Sequence, residues 1–348
     1  MIGSRGRMMV ALHGTTLAPQ AEDHARALRP TRVGAALVAV AASFPAQGVS
    51  TADIAVPLGV EADWLIRRTG VRSRRRLGAG ECLCDLAADA SRRALAGAEV
   101  EPATVDLLLL ATMTPDALTP HGAAMVAAAI GATRAGTMDL NAACTGFLAA
   151  LSLAVGQVES GRAQTVVVIG ADAMSRVLDY DDRVTAGIFG DGAGAVVVRA
   201  VPGDSRVGPF VLEADGAAGD AIVTPWPAGP VRMEGQRTFR RAVDALADVA
   251  LRTTALAGTT VADLDLAVLH QANARITAAV AERLELPTQR VVDCIAQIGN
   301  TTAASLPTAL AYAEADGRLQ PGSRVLLAAF GAGLAWGGTV LTWGGELA

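Results

Sequence analysis

The chain has 348 residues, of which 51% are hydrophobic and 18% charged, so it can bury a large core and is not disordered as a whole. Its formal net charge of -5 excludes the basic footprint typical of a nucleic-acid-binding protein. No apolar run reaches the roughly 20 residues that a membrane span needs, and the first residues lack the charged and apolar regions of a secretory signal. We therefore expect a cytoplasmic protein that binds neither nucleic acid nor membrane.

The sequence contains no lysine, and its densest group of cations is RRTGVRSRRR, residues 67–76. Such a run is typical either of a solvated face or of a site for an anionic ligand. The four cysteines, Cys82, Cys84, Cys144 and Cys294, show no paired metal-ligand spacing. In a protein without a secretory signal we expect these thiols to be reduced, with no disulfide and no metal site.

In chain order, short apolar segments alternate with helical ones. Residues 1–30 show no sustained hydrophobic period, so we expect a flexible N-terminal extension there. From Thr31 onward, strand candidates such as VDLLLLAT and TVVVIGA alternate with helix candidates such as CLCDLAADASRRALAGA. This alternation, together with the abundance of Ala, Gly and Val, predicts an α/β fold built from βαβ units.

The second part of the sequence repeats the first. ATVDLLLLATMTPD corresponds to ADLDLAVLHQANAR, and FGDGAGAVVV corresponds to FGAGLAWGGTVL. We expect two similar halves, residues 31–200 and 207–348, joined by a segment rich in Pro, Gly and Asp. Because binding sites often lie where such units meet, the junction is the place to look for chemistry.

Cys144 lies between a predicted strand and a predicted helix that begins at Thr145 and Gly146 and ends near Gly161. At a helix N-terminus, free backbone N–H groups and the helix dipole stabilise a thiolate, so we expect a lowered thiol pKa and a nucleophile. A lone cysteine in an alanine-rich segment is also typical of a small core residue. The sequence around Cys144 leaves both interpretations open.

Two residues are candidate partners for a cysteine nucleophile. His270 ends the apolar run LDLAVLH, at a strand terminus where α/β sheets present catalytic groups, although it could also be a polar strand cap. Asn300 lies in the turn IGNTTAASLP and, taken alone, would be a helix N-cap. Neutral imidazole and carboxamide groups can both donate hydrogen bonds to an enolate oxygen, which fits acyl transfer to cysteine followed by decarboxylation of a malonyl group. A hydrolase triad would instead use its third residue to orient the histidine.

Four motifs occur in order: DLNAACTGF, LHQANARI, IGNTTAASLP and AFGAGLAWGG. Together they resemble the thiolase superfamily and, within it, the β-ketoacyl-acyl-carrier-protein synthase III family, over about residues 32–343. The resemblance implies a five-layered αβαβα fold, usually in a homodimer. It also implies an enzyme that condenses an acyl primer from acyl-CoA with malonyl-acyl carrier protein and needs no metal or redox cofactor.

The resemblance implies a role for each residue of a catalytic triad. Cys144 would accept the primer, while His270 and Asn300 would support decarboxylation and stabilise the resulting enolate. The backbone N–H groups of Cys144 and Ala332 would form the oxyanion hole. Ala332 stands where family members often have glycine, so it keeps the N–H donor but restricts the backbone.

The resemblance also assigns residues that bind the substrates. The residues expected to bind CoA are Trp64, Arg68, Arg176 and Asn273. Arg240 and Arg275 would receive the acidic carrier protein, and Glu282 interrupts the basic run found further on in the family. A planar guanidinium suits phosphate, so the resemblance favours a site for an anionic ligand over a solvated face in the arginine-rich segment 67–76.

Thr119, in ALTPHG, occupies the position from which a loop of the partner subunit closes the acyl tunnel in the family. A bulky aromatic there would restrict the primer to acetyl size, whereas threonine leaves room for longer or branched primers unless neighbouring residues fill the space. Together with the arginine-only, alanine-rich composition, Thr119 favours the priming of a polyketide pathway over ordinary fatty acid initiation.

Other functions stay open at this point. An acyltransferase of the same fold would pass the acyl group to an alcohol or amine without condensation, and Asn300 opposes that alternative. A catalytically silent partner subunit would have lost its cysteine, and Cys144 is present. The glycines of FGDGAGAVVV precede a strand and do not open a helix, so they do not indicate NAD binding.

Overall fold

A computed structural model of the chain describes residues 33–225 and 229–344. The expected flexible extension, residues 1–30, lies outside the described residues. The strands are β1 (Val33–Ser43), β2 (Gln47–Ser50), β3 (Ser73–Arg76), β4 (Leu107–Ala111), β5 (Gly136–Leu140), β6 (Thr165–Ala173), β7 (Asp191–Pro202), β8 (Val207–Ala214), β9 (Ile222–Val223), β10 (Arg232–Met233), β11 (Leu266–Leu269), β12 (Arg324–Gly331) and β13 (Ala335–Thr342). The α-helices are α1 (Thr51–Ala55), α2 (Ala62–Thr69), α3 (Leu83–Gly97), α4 (Gly122–Ile130), α5 (Gly146–Glu159), α6 (Gly235–Leu256), α7 (Ala274–Arg283), α8 (Ile295–Ile298) and α9 (Ser305–Ala315).

Two large sheets carry the fold. The first has the strand order β1-β7-β6-β4-β5 and the second the order β11-β12-β13-β8. In the first sheet β4 runs parallel to β5 and β6, and in the second β11 runs parallel to β12. The inner strands β6 and β12 are apolar runs buried over nearly their whole length, as expected for strands covered on both faces.

The two sheets come from different parts of the chain. All strands of the first sheet lie before residue 203 and all strands of the second after residue 206, which is where the sequence places the junction between the expected halves. Residues from Val33 onward nevertheless form one compact unit. The halves are therefore packed against each other rather than separated by a linker.

The helices and sheets form five layers. Helices α3 and α4 cover the outer face of the first sheet, α5 and α9 lie between the sheets, and α6 and α7 cover the outer face of the second. The central layer is rich in small side chains, and eight of the fourteen residues of α5 are buried. The predicted α/β class and its αβαβα layers are confirmed. Among the described helices, none is long and apolar enough to cross a bilayer.

Each central helix is preceded by one short 3-10 turn. Ala143–Thr145 leads into α5, and Thr302–Ala304 leads towards α9. The first residue of each turn has a positive φ, 45° at Ala143 and 49° at Thr302, a conformation that L-residues other than glycine adopt rarely. The duplicated turns place Cys144 in one half and Ala303 in the other at equivalent positions, so only the first half carries a thiol there.

Candidate active site

A cavity of about 720 Å³ lies between the two halves and contains all three candidate catalytic residues. Cys144 comes from the first half, while His270 and Asn300 come from the second. Gly331, the last residue of β12, and Ala332, which follows it, also line the cavity. The structure therefore brings together residues that are far apart in the sequence, at the junction where a site is expected.

Cys144 lies in the turn before α5, and Gly331 lies directly beside it. The backbone N–H groups of Ala332 and of Cys144 itself act on its thiol in the direction that lowers its pKa. These are the two donors that the family resemblance assigns to the oxyanion hole. A side chain at Gly331 would collide with Cys144, because a Cβ there would lie 2.5 Å from the cysteine Cβ and 2.8 Å from its sulfur.

The expected lowering of the thiol pKa is wrong. Burial raises the pKa of the Cys144 thiol to about 12, and the carboxylate of Asp172 adds to this rise, while the two backbone N–H groups oppose it only in part. Desolvation of the charged form raises the thiol pKa more than the helix N-terminus lowers it. The free protein consequently holds a protonated thiol at neutral pH, and a base has to take its proton as it attacks.

His270 follows β11 and is 1% exposed. Neither of its ring nitrogens has a hydrogen-bond partner among the described residues. Burial lowers the pKa of His270 to about 4, so the ring is neutral at physiological pH. A neutral imidazole offers one N–H donor and one acceptor nitrogen, both available to a molecule in the cavity.

Asn300 is held by the first half of the chain. Its backbone N–H donates to the carbonyl of Ile188 and its carbonyl accepts from Gly190, both at 3.0 Å. Its side-chain Oδ1 accepts the backbone N–H of Thr302 at 2.8 Å, which leaves the Nδ2 group as a donor on the cavity wall. The alternative N-cap role is wrong, because α9 begins at Ser305 with Ala304 as its N-cap.

Asp172 is a buried carboxylate that sequence reasoning missed. Its oxygens accept hydrogen bonds from the following groups: the hydroxyls of Thr112 (3.1 Å), Thr114 (3.0 Å) and Thr302, and the backbone N–H groups of Met113 (2.8 Å) and Ala303 (3.1 Å). Through Thr302 the network reaches the turn that orients Asn300. The available signal was one acidic residue in the otherwise apolar run TVVVIGADA.

Three of the four expected CoA-binding residues line the cavity. The guanidinium of Arg68 lies over the indole of Trp64, 4.0 Å from the ring centroid. Asn273 caps α7 by accepting the N–H of Arg275 at 2.9 Å, and its Nδ2 donates to the carbonyl of Arg68 at 2.9 Å. These contacts join α2 and α7 at the mouth of the cavity.

Arg176 does not line the cavity. Its guanidinium forms an ion pair with Asp116 at 2.7 Å, and Asp116 accepts hydrogen bonds from the first turn of α3. Arg183, seven residues later, lines the cavity instead and donates to the carbonyl of Leu58. Sequence reasoning missed Arg183, which stands beside two aspartates in DYDDRV and gives no local sign of a ligand.

The cavity is positively charged although the protein is not. Among the described residues that line it are four arginines, namely Arg68, Arg183, Arg240 and Arg275, and no acidic residue. None of these arginines forms an ion pair within the described part of the chain. Arg240 and Arg275 are exposed, and Arg275 lies 5.5 Å from the ring centroid of Phe239. An excess of unpaired cations over a concave surface favours an anionic ligand.

Thr119 lies in an exposed loop and is not part of this cavity. The following residues tie the loop to β5, since His121 hydrogen-bonds to the hydroxyl of Thr137 at 2.9 Å. That Thr119 helps to close the acyl tunnel of a partner subunit stays a prediction. Within residues 33–225 and 229–344, no group of three or more His, Cys, Asp or Glu side chains is placed to hold a metal ion.

Comparison with known proteins identifies the family. Residues 138–216 match the family model described as 3-oxoacyl-[acyl-carrier-protein (ACP)] synthase III, and residues 254–343 match the model of its C-terminal part. The β-ketoacyl-[acyl-carrier-protein] synthase III of Rhizorhabdus wittichii is 41% identical over 316 residues, covering 89% of this chain and 99% of the relative.

Solved structures share the same fold. The 3-oxoacyl-(acyl carrier protein) synthase III of Pseudomonas aeruginosa is 38% identical with a TM-score of 0.86, covering 90% of this chain and 99% of that one. The priming β-ketosynthase of the R1128 polyketide biosynthetic pathway is 36% identical, also with a TM-score of 0.86, covering 90% and 98%. The chain therefore belongs to the 3-oxoacyl-[acyl-carrier-protein] synthase III family of condensing enzymes.

Proposed function

We propose that the protein takes an acyl group from acyl-CoA onto Cys144 and condenses it with malonyl-acyl carrier protein. In the first step the sulfur of Cys144 attacks the thioester carbonyl, the C–S bond to CoA breaks, and the thiol proton passes to the departing CoA thiolate. Because the thiol is protonated at neutral pH, a base has to carry this proton, and neutral His270 has an unpartnered ring nitrogen in the same cavity.

The second step extends the acyl group by two carbons. The bond between the malonyl carboxylate and its α-carbon breaks, CO₂ leaves, and the electron pair forms an enolate. The N–H of His270 and the Nδ2 group of Asn300 donate to the enolate oxygen. The α-carbon then attacks the acyl carbonyl, and the hole formed by the N–H groups of Cys144 and Ala332 stabilises the tetrahedral oxyanion. The Cys144 sulfur leaves as a thiolate and takes a proton from solvent, which restores the thiol because its first proton left with CoA.

The observation that carries this proposal is that a buried, neutral His270 with two unpartnered ring nitrogens lines the same cavity as the donor group of Asn300. Neither residue offers a negative charge, which suits an enolate. Transfer of the acyl group to an alcohol or amine would not need two such donors. The orientation of Asn300 therefore supports condensation over simple acyl transfer.

The test separates the two steps. Intact-protein mass spectrometry after incubation with acetyl-CoA and longer acyl-CoAs should show an acyl adduct on the wild-type protein and none on Cys144→Ala. Asn300→Ala should lose condensation with malonyl-acyl carrier protein more than it loses loading, whereas His270→Ala should impair both steps, because His270 also carries the proton of the Cys144 thiol. A stable adduct in Cys144→Ala, equal loss of both steps in Asn300→Ala, or unimpaired loading in His270→Ala would contradict the assignment.

For the primer, we propose a group longer or more branched than acetyl, used to prime a polyketide. The cavity wall supports this choice, because it includes Met113, Met174 and Met233, whose unbranched side chains adapt to different shapes. Thr119 adds no bulk if the partner loop closes the tunnel. A chain-length profile that peaks at acetyl would favour ordinary fatty acid initiation instead.

We propose a homodimer in which the loop around Thr119 approaches the partner subunit. Strand β5 is the edge of the first sheet, and three large apolar residues near it are exposed, Leu118 by 68% and Met125 and Met138 by 49% each. Such residues together with an open strand edge are typical of an interface. Light scattering should give twice the 35.3 kDa mass of the chain.

We further propose that Arg240 and Arg275 receive the acidic carrier protein. Both side chains are exposed and stand at the mouth of the cavity, so a carrier bound there would present its thioester to the interior. Arg240→Glu should raise KM for malonyl-acyl carrier protein and leave KM for acetyl-CoA much less affected, since charge reversal acts mainly on the association with an acidic partner.

A further inference from the structure

Thr238 lies in α6, and its hydroxyl is buried. The residue lines the cavity, is 7% exposed, and its Oγ1 finds no partner among the described residues. A buried hydroxyl left unpaired is unfavourable, and folded proteins rarely keep one unless a ligand or water completes it. The ring nitrogens of His270 share this state and line the same cavity.

Comparable buried hydroxyls in helices of this chain are paired. Ser91, Thr69 and Thr254 are all buried, and each donates to the carbonyl four residues earlier, at 2.7, 2.9 and 2.9 Å. Thr238 has the carbonyl of Glu234 in the same relative position, but only its backbone N–H uses that carbonyl, at 2.9 Å. The cavity is therefore the remaining place from which a partner can reach the Thr238 hydroxyl.

The position of Thr238 indicates which part of a substrate passes it. The cavity is bounded by exposed arginines, including Arg68 and Arg240, at its mouth and by the partly buried Cys144 inside. Thr238 lies two residues before Arg240 on α6 and is itself buried. A substrate whose phosphates contact the arginines and whose thioester reaches Cys144 has to place its connecting arm between them.

Both proposed substrates, acyl-CoA and malonyl-acyl carrier protein, contain the same phosphopantetheine arm with two amide groups. Asn273 already uses Nδ2 and Oδ1 in hydrogen bonds to Arg68 and Arg275, whereas the hydroxyl of Thr238 is free. We propose that the Thr238 hydroxyl hydrogen-bonds an amide of the phosphopantetheine arm and thereby strengthens the binding of both substrates. This inference rests on the proposed function for the identity of the arm.

The test removes the hydroxyl without changing the size of the side chain. Isothermal titration calorimetry would compare the wild type with Thr238→Val, with Thr238→Ser, which keeps the hydroxyl, and with Thr254→Val as a matched control on the same helix. The ligands would be CoA, pantetheine, and adenosine 3′,5′-bisphosphate, which lacks the arm. We expect Thr238→Val to raise the dissociation constants for CoA and pantetheine roughly 3- to 10-fold and to leave that for the bisphosphate unchanged.

Thermal stability provides a second measurement, because Thr238→Val should lower the affinity for the arm without lowering the stability of the protein. Thr238→Val breaks no hydrogen bond of the free protein, so its thermal unfolding midpoint should equal or exceed that of the wild type. A lower midpoint, an equal loss of affinity for all three ligands, or no loss for CoA would each overturn the inference. Acylation of Cys144 in the wild type is measured separately by mass spectrometry. If the wild type binds the arm through Thr238 but Cys144 is never acylated, the proposed function is wrong and the inference about Thr238 still holds.

Discussion

Gly331 leaves no room for a side chain beside the nucleophile, since its added Cβ would lie 2.8 Å from the sulfur of Cys144. We predict that Gly331→Ala displaces the sulfur from the N–H groups that surround it. A misplacement of about 1 Å in a reacting group lowers rates on the order of 100-fold. The rate of acyl loading, followed by mass spectrometry under single-turnover conditions, should fall by about that factor.

A second glycine provides the control for this substitution. Gly156 lies inside α5, the helix that follows Cys144, and a Cβ there would meet open space. Gly156→Ala should leave loading unchanged and stabilise the helix by up to about 1 kcal/mol. If Gly331→Ala loads as fast as Gly156→Ala, the close contact with Cys144 has no catalytic importance.

Asp172 raises the pKa of the Cys144 thiol, so removal of its charge should lower that pKa. We predict that Asp172→Asn moves the pH dependence of alkylation of Cys144 by iodoacetamide toward lower pH, with roughly a ten-fold rise in the rate at fixed pH for each unit of fall. Peptide mass spectrometry would distinguish Cys144 from exposed Cys82. An unchanged or raised midpoint would show that burial alone sets the thiol pKa.

His270 makes stability depend on pH in a defined direction. Its pKa is about 4 in the folded protein and about 6.5 when unfolded, so the unfolded chain binds the proton more readily between these values. Stability contributed by neutral His270 is complete above pH 6.5 and is lost as the pH falls toward 4. Urea unfolding would measure the free energy of unfolding at pH 7 and at pH 4.5. Between these pH values, this free energy should fall by about 2.5 kcal/mol less in His270→Gln than in the wild type. Equal losses would mean that the folded pKa is not depressed.

The two arginines of the segment after β6 should differ in their effect on CoA binding. Arg183 lines the cavity, so Arg183→Ala should raise the dissociation constant for CoA by about 10- to 100-fold. This is the range for a lost hydrogen bond to a charged group. Arg176→Ala should leave the dissociation constant within two-fold, because its guanidinium is paired with Asp116. Calorimetry at two salt concentrations would show whether the effect of Arg183 is screened, as an electrostatic contact requires. A larger loss for Arg176→Ala would restore the assignment made from the sequence.

Thr119 tests the size of the primer. Thr119→Phe should narrow the range of primers toward acetyl, because an aromatic ring from the partner loop would fill space that threonine leaves open. The measurement is the ratio of kcat/KM for a branched acyl-CoA to that for acetyl-CoA. Thr119→Ser serves as the control and should keep the wild-type ratio. If Thr119→Phe also keeps it, the loop does not limit the primer.

Local residue patterns were enough to predict the order of strands and helices and the reactive residue types. The apolar period of TVVVIGA, the strand end at His270 and the turn around Asn300 are features of neighbouring residues, so they are readable without a fold. The family resemblance rested on four such motifs in order, and the comparisons confirm it.

Several functional properties depend on burial, which no local pattern contains. The pKa of Cys144 rises although the residue precedes a helix, because the surrounding protein and Asp172 disfavour the thiolate. The unpaired hydroxyl of Thr238 is recognisable only after its neighbours are known. Arg176 and Arg183 are the same residue type seven positions apart, and only the course of the chain after β6 decides which one reaches the cavity.

The sequence by itself determined the fold class, the family and the three residue types that the proposed chemistry needs, because these follow from period, spacing and motif order. The tertiary structure alone decided the protonation of Cys144 and His270, the orientation of the Asn300 side chain and the set of arginines in the cavity. The physical reason is that desolvation and hydrogen-bond pairing depend on groups from both halves of the chain, which meet only when the two sheets pack around α5 and α9.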